Sequence, residues 1–419
     1  MTAQPASPPQ ALGDLRVLEL SDEKGQLCGK LLADLGADVI KVEPPEGCST
    51  RRIGPFYEDQ PDHNRSLYFW HYNTSKRSIT LNLDTPGGQQ LFRRLARTAD
   101  IVLESNAPGA MASRGLGYDE LSRDNPRLIY CAVTPFGQSG PWRDFKASDL
   151  TLMASGGEMG ICGYDLVDDP DDTPIAPGGG NAYHIGDHYA FVAILLALYN
   201  RDLRGNGEHI DLSIHEAIAL CTEGSFPEYV MTGDNRDRQT GRHASALGSP
   251  PVQFKCKDGR YANCFIPRIT TEEWLRLVEW LDENGVAGDL KDDRLLDPEV
   301  LRGEMGRVLD AVRSMCTRLT ADELFHGGQQ RKLPWTVVRA PSDIVDDPHL
   351  RDRGFFVEVE HPELGKRFTY PGAPYIFHGT PWRVRRRAPL LGEDNVAVYH
   401  REMGMDLATL NALSETGVV

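Results

Sequence analysis

Positive charge is scarce in this sequence. Lys and Arg number 45 against 61 Asp and Glu, leaving a formal net charge of −16 and a pI near 5.2. Nucleic-acid binding needs a basic face that displaces counterions, so nucleic acid is excluded as the main partner. A small anionic ligand is not excluded, because a local basic patch can sit on an acidic protein. Paired cysteines are also missing. The eight cysteines, at 28, 48, 131, 162, 221, 256, 264 and 316, contain no CxxC spacing. They are expected to be free thiols of a reducing cytoplasm, not a disulfide framework. Long apolar runs are absent too: the longest, Ala190 to Tyr199, is too short to span a bilayer. The first residues, MTAQPASPPQ, lack the basic and apolar regions of a signal peptide. The expected setting is cytoplasmic, away from membranes.

Several catalytic signatures are likewise absent. Gly25 to Lys30 (GQLCGK) has three residues between its glycines and Leu31 after its lysine, so it is not a Walker A loop. His184 and His188 stand at i, i+4, but Ile185 occupies the place of the zincin glutamate, and no third ligand is evident. No metal is expected. Ser155 lies outside any G-x-S-x-G elbow, which removes it as a nucleophile. No repeat of fixed period occurs.

What is present is an α/β pattern. Residues 15–20 (LRVLEL) predict a buried strand, 26–35 a helix and 38–42 (DVIKV) a second strand, a βαβ unit with short connections. Helix and strand alternate again through 87–98, 101–103, 118–123 and 128–133. The acidic, Pro- and Gly-rich stretch 165–180 predicts a surface loop, followed by an apolar helix 189–201 and a strand 209–214. Composition shifts near residue 225. We therefore expect a doubly wound, Rossmann-like large domain over 1–224, a smaller α+β domain over 225–332, and a return to the large domain over 333–419.

Asp187 stands after Gly186 and before that apolar helix, where the bland expectation is an N-cap. A carboxylate at a helix start is also held ionised by the helix dipole, and could attack an acyl thioester without a general base. Lys76 and Arg77, just before the strand-like ITLNL, are candidate contacts for the phosphates of an anionic cofactor.

Six segments in series resemble the class III CoA-transferases, the family of formyl-CoA transferase and the carnitine CoA-transferases. They are GADVIKVEPPEG (36–47), NTSKRSITLNLDTPGG (73–88), ADIVLESNAPGAMASRGLGYDEL (99–121), LIYCAVTPFGQSGPWRD (128–144), IGDHYAFVAILLALYNRDLRGNGEHIDLSIHEA (185–217) and APLLGEDNVAV (388–398). The resemblance implies Asp187 as nucleophile. It implies CoA contacts at residues 21–25, including Glu23 and Lys24, at Leu81 and Asn82, at Arg114 and at Lys146. It implies acyl contacts near Ser148 and in the 246–250 loop at Gly248, where the glycine run of formyl-CoA transferase shrinks to one glycine. It also implies an interlocked homodimer, with acyl-CoA and a small carboxylic acid as substrates and no tightly bound cofactor. The 2-methylacyl-CoA racemases share the superfamily, but the position of their histidine matches Ser148, which cannot serve as an acid/base at neutral pH. A racemase and a non-catalytic subunit of a heteromeric transferase are the alternative expectations.

Overall fold

The computed structural model describes residues 9–164, 173–222, 224–242, 244–245, 249–266 and 270–419. The chain forms two compact units. The first comprises residues up to Gly157, Pro177–Cys221 and His349–Val419; the second comprises Glu158–Ala176 and Thr222–Pro348.

The first unit is built on six parallel strands: β1 (Arg16–Leu20), β2 (Asp38–Glu43), β3 (Arg77–Thr80), β4 (Ile101–Glu104), β5 (Ile129–Thr134) and β6 (His209–Ser213), in the order β3-β2-β1-β4-β5-β6. Helices cross between them: α1 (Gln26–Asp34), α2 (Leu67–Tyr72), α3 (Pro86–Ala96), α4 (Ala110–Ser113), α5 (Tyr118–Asp124), α6 (Asp149–Ser155) and α7 (Asn181–Arg204), with α8 (Ile214–Leu220) following β6. Helices over a parallel sheet bury its strands, which explains why β4 and β5 are buried throughout. The core beside the sheet includes Leu18, Ile40, Ile79, Phe92, Val102 and Tyr130. Strand order reverses between β1 and β4, the place where open α/β sheets open a ligand crevice.

The C-terminal segment closes the β3 edge. Asp394 Oδ2 accepts from Ser78 N at 2.9 Å, Asn395 Oδ1 from Thr80 N at 2.9 Å, and the Tyr399 hydroxyl donates to Thr80 O at 2.8 Å. Unpaired edge groups thus find side-chain partners instead of a foreign strand.

The second unit carries an antiparallel sheet of Gln253–Lys255, Tyr261–Asn263 and Thr336–Val337, whose first two strands turn at Asp258-Gly259. Its helices pack Trp274, Leu277, Val312, Met315 and Trp335 into a separate core. Val337 pairs with Ala262, so the WTVV stretch belongs to this sheet, and the chain rejoins the first unit at His349. No helix among the described residues is long and apolar enough to cross a membrane.

Candidate active site

At the carboxyl ends of β1 to β4 lies a cleft of about 720 Å³. The turn after β1 contributes Ser21, Asp22 and Lys24; the turn after β3 contributes Leu81, Asn82 and Asp84; the turn after β4 contributes Ser105 and Asn106; and Arg114 and Lys146 line it as well. The volume suits a sizeable small molecule. Arg114 is paired with Asp84 at 2.7 Å, whereas Lys146 is exposed and makes no ion pair among the described residues.

Asp187 lies behind the β1 turn and is fully buried. Its two carboxylate oxygens accept from Gly25 N at 2.6 Å and Leu27 N at 2.8 Å, and the Cys28 amide contributes further. These are the first amides of α1, which have no partner inside their own helix and lie at its positive dipole end. Burial pushes the Asp187 carboxyl up from 3.8 to about 7, although the Gly25, Leu27 and Cys28 amides and the Lys76 ammonium pull it down.

This corrects the expected N-cap. Asp187 does not cap the helix that carries it: α7 begins at Asn181, and Asp187 lies inside it. Its start is capped instead by Asp149, whose Oδ1 accepts from Ala182 N at 2.8 Å. Gly186 had suggested a helix boundary, yet it serves close packing: a Cβ there would stand 2.8 Å from Ile214 Cγ1 on α8. The turn that presents α1 does require a glycine, because Gly25 has φ 98° and a Cβ would meet Ser21 Cβ at 2.9 Å.

Beneath the amide cradle is a buried charge network. Glu19 on β1 faces Lys41 across the β1–β2 ladder at 2.9 Å and Lys76 at 2.7 Å. Lys76 Nζ also donates to Gln26 O at 2.8 Å and Asn73 Oδ1 at 3.0 Å, fixing the peptide whose N–H is the Leu27 donor. Burial pushes the Lys76 ammonium down to about 8 against the pull of Glu19. Burial alone would raise Glu19, but the two lysines hold it below its ordinary value. The Gln26 side chain is buried, and neither its Nε2 nor its Oε1 has a hydrogen-bond partner among the described residues.

The other predicted residues divide clearly. Lys24, Leu81, Asn82, Arg114 and Lys146 share the cleft wall. Glu23 lies in the same turn but off that wall, near Tyr68 and Tyr183, whose hydroxyls its charge helps to raise. Lys76 and Arg77 are not free phosphate contacts. Lys76 is consumed by the buried network, and Arg77 is paired with Asp38 at 3.1 Å and with Glu402. Ser148 is exposed and caps α6 in a capping box with Thr151. Gly248 lies outside the described residues. His184 Nε2 meets the Tyr72 hydroxyl at 2.6 Å, and no group of three or more His, Cys, Asp or Glu suited to a metal occurs among the described residues. Sequence reasoning included Asp22 in the 21–25 contact region but missed the role of the Gly25 and Leu27 amides, which carry no side-chain signal, and missed Ser105 and Asn106 of the cleft.

Fold and site together define an α/β enzyme with a buried carboxylate beside a ligand cleft. The sequence profile of CoA-transferase family III matches residues 12–395, and the chain belongs to that family. It is 35 % identical over 92 % of its length to a protein of Thauera aromatica, itself 92 % covered, named succinyl-CoA:(R)-benzylsuccinate CoA-transferase subunit BbsE. It is 31 % identical over 98 % of its length to formyl-CoA:oxalate CoA-transferase of Streptomyces avermitilis, which is covered completely at 100 %. A solved CaiB/BaiF family protein from Brucella suis superposes with a TM-score of 0.79 at 28 % identity, covering 94 % of this chain and 99 % of that one. The chain is thus an enzyme of the type that transfers CoA between an acyl-CoA and a carboxylic acid.

Proposed function

We propose that transfer runs through covalent intermediates on Asp187. The observation that carries this reading is the buried Asp187 carboxylate on the first amides of α1, directly behind the cleft-lining turn. One Asp187 oxygen leaves its amide and attacks the donor thioester carbon. The C–S bond breaks, giving a mixed anhydride and CoA thiolate. The thiolate attacks the aspartyl carbonyl, releasing the donor acid and leaving an aspartyl-CoA thioester. The acceptor carboxylate attacks that thioester, forming a second anhydride and freeing the thiolate. Attack of the thiolate on the acceptor's carbonyl yields the new acyl-CoA and restores Asp187. The vacated amides of α1 face each developing oxyanion, where preorganised donors are most effective. Lys146, Arg114 and the 81–84 turn are the proposed contacts for CoA itself.

We also propose that the working enzyme is a homodimer, interlocked as the family resemblance implies. On α7, Tyr189, Val192, Leu196, Tyr199 and Leu203 form a stripe spaced by three and four residues and between 39 % and 68 % exposed. A helical stripe of that kind is suited to pack against another surface.

The test is intact mass spectrometry after incubation with a panel of acyl-CoAs, followed by hydroxylamine trapping and peptide mapping. The expected adduct maps to the peptide carrying Asp187 and disappears in Asp187→Ala. An Asp187→Ala enzyme with full transfer activity would falsify the mechanism. Deuterium exchange alpha to the thioester without any adduct would favour racemisation.

A further inference from the structure

Among the cleft-lining cations, Lys24 is the one on the peptide that grips the nucleophile. Its carbonyl carbon is bonded to Gly25 N, and that amide holds Asp187 Oδ1 at 2.6 Å. The Lys24 Cα is therefore one chain step, about 3.8 Å, from the Cα of the residue touching the reacting oxygen. Arg114, Arg143 and Lys146 come from other parts of the chain, and none of them forms a hydrogen bond or ion pair with Asp187, Gly25 or Leu27 among the described residues.

The Lys24 ammonium is held in a specific way. Asp22 Oδ2 lies 2.6 Å from Lys24 Nζ, and Asp22 Oδ1 accepts from Lys24 N at 2.9 Å. Asp22 is itself fixed by Ser105, whose Oγ donates to Oδ1 at 2.9 Å and accepts from Asp22 N at 2.9 Å. If the ammonium swung away, Asp22 would keep the Lys24 N–H and the Ser105 hydroxyl. Lys24 can therefore change partners without leaving a bare carboxylate behind. Its side chain is 18 % exposed, so a charge-assisted contact there would be partly shielded from water.

We propose that Lys24 is a specificity-determining residue that selects acyl groups bearing a second carboxylate. The proposal rests on the Asp187 transfer reading, which places the thioester carbonyl against the Gly25 amide. In a four-carbon diacid the two carboxyl carbons are separated by three carbon–carbon bonds. That distance lies within the reach of a lysine side chain anchored one residue from the reaction centre. An acyl group ending in a methyl would bring no charge to Lys24 and would leave it on Asp22. Diacid donors and diacid acceptors occupy the same place in turn, so one lysine sorts both.

The test uses two CoA thioethers, which lack the carbonyl and cannot react: S-(3-carboxypropyl)-CoA and S-butyl-CoA. Their affinities, with that of CoA, are measured by calorimetry on the wild-type dimer and on Lys24→Gln and Lys24→Glu. Wild type should prefer the carboxypropyl ligand at least tenfold. Lys24→Gln should erase that preference, weakening the carboxypropyl ligand more than CoA or S-butyl-CoA, and Lys24→Glu should invert it. The kcat/KM ratio for succinyl-CoA over butyryl-CoA should fall in parallel. An unchanged preference in Lys24→Gln overturns the proposal, as does an equal loss on all three ligands, which would make Lys24 a contact of CoA. Failure of wild type to bind any of the three would sink the transfer reading and this proposal with it. Intact CoA binding with no carboxylate preference would sink this proposal alone.

Discussion

Asp187 pits burial against hydrogen bonding, and the balance sets its pH behaviour. Its carboxyl sits near pH 7 because burial outweighs the amides of Gly25, Leu27 and Cys28. In the unfolded chain an aspartate loses its proton near about 3.9. Folding therefore retains a proton between those values, and the associated stability is lost as pH rises from about 4 to 7. On the proposed mechanism reactivity runs the other way, because only the carboxylate attacks. The rate of adduct formation should rise with pH and level off above about 7, as measured by rapid-quench mass spectrometry. A rate that is flat from pH 5 to 8 would contradict the buried environment.

Gln26 offers a second test at this scale. A buried amide with no partner at either end costs about 1–3 kcal/mol for each lost bond. Methionine has a similar length and no such demand. Gln26→Met should raise the thermal midpoint, read by differential scanning calorimetry, and a lower midpoint would show that the Gln26 amide is satisfied in the folded protein.

Among the elements, α7 matters most, because it carries Asp187 against α1 and α8. Its fit to α8 depends on the missing side chain at Gly186, where a Cβ would stand 2.8 Å from Ile214. Gly186→Ala should destabilise the fold by about 1–3 kcal/mol in urea titration, and Ile214→Ala, which removes the clashing Cγ1, should cost less in the Gly186→Ala background than in the wild type. An equal cost of Ile214→Ala in both backgrounds would place the strain elsewhere. This helix also shows what the sequence could and could not convey. Strands such as 38–43 announced themselves through local apolar runs bounded by glycine. The start of α7 did not, because Gly178 to Gly180 and Gly186 look alike as letters. Only the neighbouring Ile214 distinguishes a packing glycine from a helix stop. Lys76 is a similar case: its chemistry was legible, but its burial against Glu19 depends on strand register. The motif singles out Asp187 as a candidate, whereas the amides that hold it belong to residues 160 and 162 positions away, which no local pattern connects to it.

For the whole molecule, the stripe on α7 is the feature with the largest consequence for assembly. Leu196→Asp with Leu203→Asp should shift the protein from dimer to monomer in light-scattering chromatography and reduce transfer activity. A monomeric wild type would refute the dimer. The same experiment bears on the subunit question, because two relatives are named as subunits of their enzymes. Purified protein that turns over alone dismisses a purely accessory role.

The depth of Asp187 carries a further implication. On the proposed mechanism, an anhydride or thioester formed on Asp187, a side chain with no solvent exposure, is screened from water. Water would have to enter a space already filled by the amides of α1. Leakage to hydrolysis should then be small beside exchange, and the energy stored in the donor thioester would pass to the next acid with little dissipated as heat.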